Sequence, residues 1–175
     1  MSKIEITEIE HWKKQRLASK KPHKQLLKQL DRKKGNKLDD VAEELHKEAF
    51  TKISCLDCAN CCSTISPIVT LTDIKNISKY IGMKPGDFKE KYIIRDDEGD
   101  YVMNSTPCPF LGADNYCEIY DERPRACREY PHTDAAQFSA KIKLHNDNAQ
   151  YCPAVFYILE NIKEKMGINE SKRNL

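Results

Sequence analysis

The sequence predicts a mainly α-helical protein carrying one small β-hairpin. Three observations lead there. Apolar residues recur at helical spacing over 38–52 and 153–166. Residues 92–105 set β-prone runs around a charged turn that contains Gly. Eight cysteines lie among prolines in stretches that show neither period. The chain has 175 residues, 39% hydrophobic and 32% charged, which fits one domain with extensions and a modest core. No run approaches the roughly 18 apolar residues of a membrane span. Met1 to Lys20 lack the apolar stretch of a secretory signal. A cytoplasmic protein with reduced thiols is therefore expected.

Charge divides the chain. Residues 1–37 carry twelve Lys and Arg against four Asp and Glu, a net of +8, and the remainder carries −6. The basic segment has few apolar residues, mainly Leu17, Leu26, Leu27 and Leu30. It reads as helical pieces separated near Pro22 and loosely attached to the body. A charge run of this kind fits either a nucleic-acid arm or a solvated helical face. Trp12 is its only large ring, so specific nucleic-acid binding is not expected. An acidic protein surface is the expected partner, with the identity of that protein open. The expected organisation is a basic helical extension over 1–50, a cysteine-cluster domain over 51–167 and a frayed tail over 168–175.

Leu38, Val41, Ala42, Leu45 and Ala49 form one stripe of a helix over 38–52, with Asn36 as its expected cap after Gly35. Residues 68–71 read as a short extended piece. Thr72 is the expected N-cap of a helix that ends at Gly82 and turns Ile74, Ile77 and Ile81 inward. Pro85 opens a further short helix with Phe88 and Tyr92. In the hairpin, Tyr92 to Ile94 face Tyr101 to Met103. Pro153 suits the first turn of the last helix and Gly167 its C-terminal cap.

The cysteines carry the chemistry. Cys55, Cys58, Cys61 and Cys62 form a C-x2-C-x2-C-C run. Three cysteines at successive x2 spacing let the backbone loop around one centre, as iron–sulfur ligation requires, with a fourth thiolate from elsewhere. One C-x2-C alone suits zinc equally well. Adjacent Cys61 and Cys62 diverge in most backbone geometries and are expected to serve different centres. Cys108, Cys117, Cys127 and Cys152 complete the set, and four plus four matches two four-coordinate sites. The expected cofactor is an iron–sulfur cluster of the 4Fe–4S type, with zinc as the alternative. Arg123 and Arg128 flank Cys127 and are candidates to offset thiolate charge. Arg125 reads as a surface arginine. His132 is a weaker candidate ligand.

With C-P-F-L at 108–111, C-x-I-Y-x2-R-P-x2-C-R-x-Y-P over 117–131 and a distal Cys-Pro at 152–153, the pattern resembles the YkgJ-type cysteine-cluster family. The resemblance covers about residues 53–155. It implies a zinc- or iron-chelating domain, related to the cysteine region of flagellin lysine N-methylases, with all eight cysteines as metal ligands. It brings no settled activity.

The six glycines make neither a dinucleotide fingerprint nor a P-loop, and there is no H-E-x-x-H. No catalytic residue is assigned. A redox or electron-transfer role is expected first, a structural zinc interaction module second, and a methylase-related protein-modifying role third.

Overall fold

The computed structural model describes residues 7–33, 35–134 and 137–168. In chain order the elements are α1 (Thr7–Asp31), α2 (Asn36–Lys52), α3 (Cys55–Cys58), α4 (Asn60–Thr64), α5 (Leu71–Tyr80), α6 (Pro85–Tyr92), β1 (Ile93–Arg95) and β2 (Tyr101–Met103). A 3-10 turn at Tyr120–Glu122 precedes α7 (Arg125–Glu129), α8 (Gln137–Ala140), α9 (His145–Tyr151) and α10 (Pro153–Lys165). The mainly helical class with a small hairpin is what the sequence predicts. No helix among the described residues is long and apolar enough to cross a membrane.

The chain divides into two compact units, one of residues 1–54 with 131–175 and one of residues 55–130. The first is a helical unit. Hydrophobic α10 buries every residue from Pro153 to Leu159, and Ile162 as well, so it forms the centre against which α1, α2 and α9 pack. Helix α1 differs from the sequence expectation. It runs unbroken through Pro22 and is anchored, because Trp12, Leu26, Leu27 and Leu30 are buried in the same core. The Trp12 indole N–H also donates to the Ala149 carbonyl at 2.9 Å. One apolar stripe therefore holds a helix whose other faces are lysine-rich. Helix α2 buries Leu38, Ala42, Leu45 and Ala49, as their spacing requires. Its N-cap is Gly35 at φ 139°, without a side-chain cap, so Asn36 begins the helix and does not cap it. Asp39 instead reaches across the unit, accepting from the Ser139 backbone N–H at 2.8 Å and hydroxyl at 2.6 Å.

The second unit has a smaller core of Val69, Ile74, Ile77, Phe88, Ile93, Met103, Phe110 and Ile119. Helix α5 starts two residues earlier than expected. Thr70 is its N-cap, in a reciprocal capping box with Asp73, the pairing a T-x2-D spacing makes possible. The hairpin pairs Ile93 with Met103 and Arg95 with Tyr101. Its turn is set by the Asp96 carboxylate, which accepts from the Glu98 and Asp100 N–H groups at 3.1 and 2.9 Å, and by Gly99 at φ 87°. Ile68 adds an antiparallel bridge to Val102.

Candidate metal centre

Seven of the eight cysteines fall in the second unit, and local folding explains how each is presented. The C-x2-C-x2-C-C run makes two short helical turns, α3 and α4, joined at Ala59. That residue is left-handed, at φ 42° and ψ 15°, a conformation that L-residues adopt at a cost. The joint is held by Ala59 N–H to the Cys55 carbonyl at 2.7 Å and Ser63 N–H to the Ala59 carbonyl at 3.0 Å. The left-handed residue breaks the helix between the two turns. Cys62 then joins the two sequence clusters, since its carbonyl accepts the Cys108 backbone N–H at 2.8 Å.

Cys108 and Cys117 share one local design. Each is followed two residues later by a core residue, Phe110 or Ile119. The backbone N–H of that residue bonds the cysteine sulfur and favours its thiolate. The apolar anchor thus fixes the N–H and the N–H fixes the sulfur. Between the two cysteines the chain closes a tight loop, with Leu111 bridged to Cys117 and Gly112 N–H donating to the Tyr116 carbonyl at 2.8 Å. A methyl group on Gly112 would lie 2.7 Å from the Asp114 carboxylate and 3.2 Å from the Tyr116 carbonyl, so a side chain here would make both groups shift. Cys127 sits in α7, where its N–H donates to the Pro124 carbonyl at 2.9 Å.

Cys62 differs from Cys55, Cys108, Cys117 and Cys127 in the direction of its shift. Its thiol is lowered to about 7, first by a hydrogen bond with Cys61. Its negative charge raises Cys55, Cys108, Cys117 and Cys127. For each of those four, burial is the larger cause, and Cys127 is pushed up to about 12. Cys55 is exposed as a residue, yet desolvation of its sulfur still dominates, followed by Cys58 and then Cys62. None of the eight cysteines forms a disulfide. Among the described residues, no three His, Cys, Asp or Glu side chains already stand as a closed ligand set.

The candidate arginines separate by role. Arg123 lies over the Tyr120 ring at 3.8 Å, donates to the Tyr120 carbonyl at 3.0 Å and lowers Cys55, Cys117 and Cys127 by its charge. Arg128 donates to the Arg123 carbonyl and stands 3.8 Å from the Asp73 carboxylate. It therefore acts on the position of Arg123. Arg125 is paired with Glu129 at 2.5 Å on the surface. His132, at φ 62°, and Cys152 belong to the helical unit, where Cys152 is half-buried against the core.

Two residues have roles that the sequence analysis does not assign. Asp73 is buried, and besides capping α5 it accepts the Arg125 N–H at 3.1 Å, so it ties α5 to the start of the helix that carries Cys127. Tyr120 stacks on Tyr116 at 5.6 Å and supports Arg123. The signals were present as T-x2-D and Y-x2-R, spacings that place the two residues on one side of a turn.

Residues 54–153 match the family CxxCxxCC, described as a "Putative zinc- or iron-chelating domain". No curated protein and no solved structure matches the chain.

Proposed function

The chain belongs to the CxxCxxCC family of zinc- or iron-chelating domains, and from that premise we propose that it holds an iron–sulfur centre with a redox or electron-transfer role. The gathering of thiols around Cys62 carries this reading. Its donors are all sulfur, and two of them already receive backbone N–H bonds, a setting that suits soft thiolate ligation of iron. When bound, such a centre supplies one-electron chemistry. Cys55, Cys58 and Cys61 would provide three donors from their shared run. Cys62, Cys108, Cys117 and Cys127 would provide the rest. Arg123 would offset part of the thiolate charge while Arg128 holds it in place.

A structural zinc site is the second reading. It is favoured by the four-thiol group of Cys62, Cys108, Cys117 and Cys127, a complete ligand count for tetrahedral zinc. A potentiometric titration of protein purified without oxygen separates the two. The iron–sulfur reading expects visible absorption that bleaches on reduction and returns on oxidation. A colourless protein with no redox transition supports zinc. Arg123→Gln should lower the midpoint potential, because removing a positive charge disfavours the reduced, more negative centre.

A further inference from the structure

The helical unit carries a groove of about 780 Å³ that the cysteine chemistry does not use. One wall is α1 from Leu17 to Asp31, which at about 1.5 Å per residue extends for roughly 21 Å. The other wall is residues 142–147. Lys20, Lys24 and Lys28 follow one another at i, i+4 and i+8 along α1, so their ammonium groups form a ladder with rungs about 6 Å apart. Lys21 and Lys143 add to it. Lys20 is held by Asp147 at 3.6 Å. Lys21, Lys24, Lys28 and Lys143 are exposed and make no ion pair among the described residues. Like charges at this spacing disfavour a helix, and here the buried stripe of α1 outweighs them. Leu27 and Ile142 lie beneath the groove, already buried in the core of the unit, and Leu17 stands at one end with 75% of its surface exposed.

We propose that this groove docks an acidic amphipathic helix of a partner protein. Carboxylates at i, i+4 and i+8 of that helix meet Lys20, Lys24 and Lys28, and its apolar stripe covers the exposed Leu17. Charge complementarity and matched helical spacing select the occupant. A groove of this length accommodates about four helical turns, and helix-in-groove recognition uses this combination of an apolar stripe and a charged edge. Nucleic acid fits less well. No aromatic ring lines the groove to stack a base.

The test is fluorescence anisotropy with the full chain at physiological ionic strength. The probe is a labelled synthetic helix of about 15 residues, matched to the groove length, with Glu at i, i+4 and i+8 and Leu on the adjoining stripe. Lys24→Glu with Lys28→Glu should weaken binding roughly tenfold. Lys75→Glu with Lys79→Glu, which changes net charge equally but lies on α5, should change it by less than about twofold. All four lysines are exposed, so circular dichroism should show both variants folded. The proposal is overturned by equal weakening in the two variants, or by equal binding of a probe with Ala in place of Leu. Tighter binding of an oligothymidine of the same charge would also overturn it. So would a dimer of the chain that Lys24→Glu with Lys28→Glu dissociates, since the occupant would then be a second copy.

Discussion

Lowering the pH from 8 to 5 is predicted to destabilise the helical unit through His145. The imidazole is fully buried, stacks on Phe138 at 4.1 Å and bonds the Phe138 carbonyl through Nε2 at 2.8 Å. Its Nδ1 is buried and has no hydrogen-bond partner, so a second proton would place a charge where nothing accepts it. Burial is the main cause that lowers its pKa to about 4. The Phe138 carbonyl pulls the other way, and His132 lowers it a little further. In the unfolded chain the group titrates near its ordinary value of 6.5. A lowered histidine favours the neutral fold, so its contribution is complete above about pH 6.5 and is lost as the pH falls toward 4. The full shift corresponds to about 3 kcal/mol, and about 2 kcal/mol is already lost at pH 5. Glu48 and Glu160 are held low by their partners, so their losses come at more acid pH. His46 is lowered by burial and adds a smaller slope of the same sign. Urea unfolding at pH 8, 6 and 5, beside an NMR titration of the ring, measures the effect. His145→Gln should remove most of the slope while leaving an amide to donate to Phe138. A ring that titrates above pH 6, or an unchanged slope in His145→Gln, would refute the reasoning.

Trp12→Ala should cost about 3–5 kcal/mol in urea unfolding, from the cavity and the lost bond to Ala149; a loss typical of a surface site would mean that α1 is not part of the core. Asp73→Ala should cost about 2 kcal/mol, since it strips the cap of α5 and the Arg125 N–H together, and a thermal melt shifted only slightly would contradict that. At the left-handed joint between α3 and α4, Ala59→Gly should be neutral or stabilising by up to about 1 kcal/mol, whereas Ala59→Val should lose about 2 kcal/mol or more. Equal stability of the two variants would show that this backbone is not required.

Helix α2, α6, the hairpin and α10 were legible because each is decided locally. Their apolar spacing, an N-terminal proline or a turn glycine points one way, and packing agrees. The tertiary context overrode the local signal in α1. Pro22 and the lysine run argued for interrupted, loosely held pieces, but Trp12, Leu26, Leu27 and Leu30 lie on one stripe and α10 offers them a surface to bury. Helices α8 and α9 left no clear pattern. They are short, and α9 buries polar His145 and Gln150 as well as Ala149, so no apolar period announces it. In the candidate site the thiols could be named from spacing alone. The left-handed joint at Ala59 and the backbone bond between Cys62 and Cys108 could not, because a cysteine pattern specifies neither.

Iron, zinc and acid-labile sulfide should be measured together on the full chain purified without oxygen, beside Cys62→Ser. The account predicts iron and sulfide in comparable amounts, a broad absorption near about 400 nm, and loss of both in Cys62→Ser. About one or two zinc ions per chain with neither iron nor sulfide, before and after reconstitution, would contradict it.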